Sequence, residues 1–171
     1  KEKNPELYGD IDPAADGNYA IRAASQNGHL GVVKLLLEMK EKNPGLCGDI
    51  DPAAKDNYAI RWASAGGHVE VVKLLLEKKE RNPELYRNID PAAGDNNAIG
   101  AASKFGHIEV IKLLLAKKEE NPSLYGRIDP AADDNWVIKK ALGNGKDEVV
   151  EFLLEKKDQR PDLYGEISLW G

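Results

Sequence analysis

Three histidines, His29, His68 and His107, stand at a fixed step of 39 residues, each directly after a glycine. Imidazoles ligate metals and relay protons, but a metal centre needs several donors converging on one point. Residues at the same place in successive copies of a unit form a ladder instead. These histidines are therefore expected to bond neighbouring backbone at a turn. Cys47 would need an adjacent base to act as a nucleophile, and none is placed beside it. It occupies the position held by Tyr86, Tyr125 and Tyr164 in the other copies and reads as a packed substitute. Asp10, Asp12, Asp49 and Asp51 offer carboxylates for acid–base work or Ca²⁺, yet they lie in repeated loops without the dense acidic spacing of a calcium loop. They read as turn and cap residues. The sequence thus assigns no catalytic residue, no metal ligand and no cofactor-binding residue, and the chain reads as a non-enzyme.

What must position these groups is a tandem repeat. Ile-Asp-Pro-Ala-Ala begins at Ile11, Ile50, Ile89 and Ile128, always 39 residues apart. Pro5, Pro44, Pro83, Pro122 and Pro161 keep that step, as do Gly28, Gly67, Gly106 and Gly145. In the copy from Ile50 to Asn88, Lys55-Asp56-Asn57 gives a helix start, with Asp and Asn side chains able to accept bonds from free helical N–H groups. A short helix over Tyr58 to Ser64 places Ala59, Ile60 and Ala63 on one side, and Gly66-Gly67 breaks it. A second helix, from about Val69 to Lys79, is so apolar that it must be covered on more than one side. Asn82-Pro83 opens a third element, with Asn as cap and Pro at the first helical position; Leu85 and Tyr86 are expected to pin it. Such a unit cannot bury its own apolar surface, whereas stacked neighbours can, which is the logic of a solenoid.

Bulk properties narrow the function classes. The net charge of −5 argues against nucleic-acid binding, which depends on Lys and Arg neutralising phosphates. The runs Lys40-Glu41-Lys42 and Lys78-Lys79-Glu80-Arg81 read as the solvated end of the second helix. Apolar runs such as Leu35-Leu36-Leu37 fall far short of a membrane span, so no membrane partner is expected. A lone cysteine forms no internal disulfide and points to an intracellular setting, cytoplasmic or nuclear.

The segment Gly67-His68-Val69-Glu70-Val71-Val72-Lys73-Leu74-Leu75-Leu76 closely resembles the second-helix signature of ankyrin repeats, and His29 and His107 head the same segment elsewhere. The first helix departs from that family's Thr-Pro-Leu-His form, reading Asn-Tyr-Ala-Ile-Arg-x-Ala-Ser at Asn18 to Ser25. The period also departs, since 33 residues is usual; the extra residues fall in the Asn-Pro-Glu-Leu-Tyr turn. The resemblance implies an all-α fold, an ankyrin-type α-solenoid of four helix–turn–helix repeats with extended loops. One domain spans 1–171, with a partial repeat at 1–10, full repeats at 11–49, 50–88 and 89–127, a C-terminal capping repeat at 128–166 and a tail at 167–171. It further implies that first helices and loop tips line a concave groove that grips partner proteins.

Comparison of the copies separates scaffold from surface. Ile21, Ile60, Ile99 and Ile138 are identical, as are Ala24, Ala63, Ala102 and Ala141, and these are the expected packing positions. Columns that vary share another helical face. On that face the candidate partner-binding residues are Tyr19, Arg22, Tyr58, Arg61, Trp62, Lys104, Phe105, Trp136 and Lys139. Aromatic and Arg groups are common energetic anchors of interfaces, and the mixture suits a partner protein with an acidic, partly apolar segment. Tyr and Trp in these columns could equally fill gaps between repeats.

The ends differ. Lys140, Lys146, Asp147 and Glu151 make the fourth copy more polar, as a solenoid end requires, and Leu169 and Trp170 are expected to fold back over it. Lys1 to Asp10 match the tail of a preceding unit, which points to a fragment of a longer array. The other reading is a structural protein self-assembling end to end into a filament or higher-order assembly.

Overall fold

The computed structural model describes residues 12–169. Pro5, Ile11, the partial repeat 1–10 and Trp170 lie outside the described residues. Within them the chain is all-helical, in four triplets of helices. Unit one holds α1 (Ala15–Gln26), α2 (Leu30–Lys42) and α3 (Pro44–Cys47). Unit two holds α4 (Ala54–Ala65), α5 (Val69–Arg81) and α6 (Pro83–Tyr86). Unit three holds α7 (Ala93–Phe105), α8 (Ile108–Glu120) and α9 (Pro122–Tyr125). Unit four holds α10 (Ala132–Gly143), α11 (Asp147–Gln159) and α12 (Pro161–Tyr164). First helices pack on first helices and second on second, so the core runs continuously from unit to unit. The identical Ile and Ala columns are buried throughout; burying an Ile side chain contributes about 1.5–3 kcal/mol.

Each first helix opens on three left-handed residues, which the sequence did not lead one to expect. Asp16-Gly17-Asn18, Lys55-Asp56-Asn57, Gly94-Asp95-Asn96 and Asp133-Asp134-Asn135 all have φ between +50° and +66°. The right-handed helix therefore begins at Tyr19, Tyr58, Asn97 and Trp136. For residues other than glycine this conformation costs about 1–2 kcal/mol, less for Asn and Asp. It also corrects the expected cap: no side chain at the start of α4 accepts a capping bond. The Asn side chain is committed elsewhere. Asn57 Oδ1 accepts the Asp90 N–H at 2.8 Å, and Asn18, Asn96 and Asn135 accept from Asp51, Asp129 and Ser168 in the same way. Every left-handed turn thus hands an acceptor to the next loop, where Asp51, Asp90 and Asp129 close a tight turn by accepting the N–H two residues on.

The third helices follow a similar rule. Asn82 gives α6 no side-chain cap, and its Nδ2 donates to Glu41; Asn121 does cap α9, accepting from Leu124 N–H at 3.2 Å. Tyr86 is buried as expected, but Leu85 is exposed and pins nothing. The Tyr86 and Tyr125 hydroxyls reach back one unit to the carbonyls of Leu37 and Leu76.

Part of the charged run at the end of the second helices is structural. Lys79 Nζ donates to the carbonyls of Arg87 and Ile89, and Lys118 does the same at Gly126 and Ile128. Burial lowers the pKa of Lys79, opposed by the charge of Asp90. Beside them Lys78, Lys117 and Lys156 pair with Glu41, Glu80 and Glu119 of the preceding unit at 2.7, 2.9 and 2.9 Å.

The tail begins as part of the scaffold. Ile167 is buried like Ile50, Ile89 and Ile128, and the Ser168 N–H fills the acceptor of Asn135.

Candidate partner-binding face

The turn between first and second helix is held by the histidines. Gly28, Gly67 and Gly106 carry positive φ there, and a Cβ on Gly28 or Gly67 would run into the ring of His68 or His107 from the next unit. His68 Nε2 lies 2.9 Å from the Gln26 carbonyl and His107 Nε2 lies 3.0 Å from that of Ala65. A carbonyl only accepts, so Nε2 carries the proton. The ladder ties units two and three to their predecessors, and Lys146 lies over Gly106 in the place a histidine would fill. Among the described residues no group of three or more His, Cys, Asp or Glu is placed to hold a metal ion. No helix there is long and apolar enough to cross a membrane.

The variable side chains project from α1, α4, α7 and α10, which lie side by side. They divide into two sets. The first set is tied down, partly within its own unit and partly across the seams between units. Arg22 donates to the Asp16 and Gly17 carbonyls at 3.0 and 2.9 Å, and its guanidinium lies 5.1 Å from the centre of the Tyr58 ring. The Tyr58 hydroxyl donates to Gln26 Oε1 at 2.8 Å. Arg61 donates to the carbonyl and the carboxylate of Asp56, and Lys139 pairs with Asp134 at 2.7 Å. In unit three the cation is replaced by Gly100, and the ring of Trp136 from unit four occupies the space. Tyr58, Arg61, Trp136 and Lys139 are accordingly only partly exposed.

The second set faces solvent. Tyr19 is 61% exposed, Trp62 43% and Phe105 50%. Lys104 lies 5.2 Å from the centre of the Phe105 ring, and Trp62 stacks on Tyr58 with ring centres 5.4 Å apart. Leu142, which the column comparison passes over, is 49% exposed where Ser25, Ser64 and Ser103 are buried. The signal was available: it breaks an otherwise uniform serine column. A cleft of about 550 Å³ opens elsewhere, between the loops of units three and four, lined by Asp95, Arg127, Asp129 and Asp162 among others. None of the candidate partner-binding residues lines it.

A linear stack of like helical units, each bonded to its neighbour and presenting a row of unlike side chains, defines a solenoid repeat protein. A family model described as "Ankyrin repeats (3 copies)" matches residues 4–88, and the chain belongs to the ankyrin-repeat family. Ankyrin repeats are in general protein–protein interaction modules. No curated protein matches the chain.

Proposed function

We propose that the chain is a non-catalytic recognition scaffold that binds a partner protein across the row of first helices. The observation that carries this reading is the contrast within one face: the Ile and Ala packing columns are identical in every unit, while Trp62, Lys104 and Phe105 differ from their counterparts and face solvent. Large aromatic groups flanked by cations are the residue types that anchor interfaces. The partner presents an acidic, partly apolar protein segment, and nucleic acid and membrane play no part. The buried free thiol of Cys47 suits an intracellular compartment, cytoplasmic or nuclear.

A photo-crosslinking residue placed at position 62 or 105 tests this. It should trap one and the same partner, whereas the same group at the exposed Lys73 of the second helix should trap none. Equal trapping from Lys73 would remove the groove from consideration.

One observation favours end-to-end self-assembly as a second reading. Val32 of unit one is exposed where Val71, Val110 and Val149 are buried. Light scattering over a concentration series separates the two, because assembly through that face raises the apparent mass with concentration.

A further inference from the structure

The exposed aromatic groups are not scattered over the groove. Trp62 stands four residues further along its helix than Tyr19 does along α1, and Phe105 stands four further again along α7. Four residues are about one helical turn, or about 6 Å of rise, and packed helices lie roughly 8–10 Å apart. The line joining these side chains therefore crosses the helices obliquely, with about 10–12 Å between anchors. Seven residues of an α-helix span about 10.5 Å and return to one face. In an extended strand, same-face residues recur about every 7 Å, so the nearest repeats fall at about 7 or 14 Å and neither matches.

Resting on the groove reading above, we infer that the partner segment is an amphipathic α-helix laid diagonally across units one to three, with apolar residues at heptad spacing meeting Tyr19, Trp62 and Phe105. Charge sets its direction. Arg61 and Lys139 are tied to Asp56 and Asp134, whereas Lys104 beside Phe105 and Lys140 in unit four are exposed. The acidic residues of the partner helix fall at the end that meets Phe105.

Two peptide libraries panned against the 171-residue chain test this, one randomised on one face of a stable helical scaffold and the other unstructured. The inference expects winners from the helical library with apolar residues seven apart and Asp or Glu at one end. Trp62→Ala and Phe105→Ala should each weaken those winners at least tenfold without changing the circular dichroism, and Lys104→Glu should weaken the acidic ones. Winners that depend on Trp62 but come only from the unstructured library, or lack heptad spacing, overturn the diagonal helix and leave the groove standing. If no winner from either library depends on Trp62 or Phe105, the groove itself falls.

Discussion

Replacing Asn57 separates the two jobs this residue performs. Its backbone is left-handed at φ +57°, and its side chain accepts the Asp90 N–H at 2.8 Å across the seam between units two and three. Asn57→Ala removes the acceptor, leaving a half-buried N–H unpaired at a cost of about 1–3 kcal/mol. It also places a Cβ-bearing residue without local polar bonds in the left-handed region, at about 1 kcal/mol more than Asn. The sum is about 2–4 kcal/mol. Asn57→Gly loses the same bond but carries no steric cost at positive φ, so it should fall about 1 kcal/mol short of the alanine variant. At about 2.1 cal/mol/K per residue over 171 residues, 3 kcal/mol lowers Tm by roughly 8 °C. Solenoid stability is a sum of unit and neighbour terms, so the loss should concentrate at one seam. Hydrogen exchange at the Asp90 amide should therefore accelerate more than exchange in α11. Urea titration with exchange measured by mass spectrometry gives both readouts. Equal destabilisation by Ala and Gly would refute the strain argument, and a glycine variant as stable as the parent would refute the cross-seam bond.

Two other perturbations test the packing account. Gly100→Ala ordinarily favours a helix by up to about 1 kcal/mol, but here the new Cβ meets Cη2 and Cζ2 of Trp136, so the change should destabilise by about 1–3 kcal/mol. In a Trp136→Ala background its sign should reverse, and a double-mutant cycle by denaturant titration reads this directly. Acidification probes the ion pairs between units. Burial alone would raise the Glu41 and Glu119 pKa values, but hydrogen bonds and charge from Lys78 and Lys156 hold them below the usual 4.5. Because the folded pKa is depressed, the stabilisation is present above the unfolded value and lost as pH falls through the folded one. The stability gap between the parent and Glu41→Gln plus Glu119→Gln should therefore narrow progressively as pH falls below 4.5; a gap that stays constant as both carboxylates are titrated would discount the pairs.

The period, the helix pairs and the buried Ile and Ala columns were all legible in the sequence, because each rests on apolar spacing within a unit. The histidines aside, the cross-unit bonds were not. Asn57 looks like a helix cap, since the rule that assigns caps considers only the following turn, and its true donor lies 33 residues on. The clue was identity: caps exchange freely among Asp, Ser, Thr and Asn, yet Asn18, Asn57, Asn96 and Asn135 never change. Lys79 was hidden for a similar reason. A lysine within a charged run reads as solvated, and only the fold shows that its ammonium closes the loop below it.

The variable columns carry a further lesson about what variation between repeats means. Tyr58 lies over Arg22, and Trp136 lies over Gly100, each pair spanning one seam. A large ring in one unit is thus packed on the residue it covers in the unit before, so these positions answer to packing whatever the partner. Trp62 and Phe105 are exposed aromatics that stand outside those covered pairs. On the proposed reading, variation at such positions carries information about a partner, whereas variation at the interlocked pairs first records how neighbouring units fit. The free positions fall on the oblique line from Tyr19 to Phe105, and the interlocked pairs form the floor that holds that line in place.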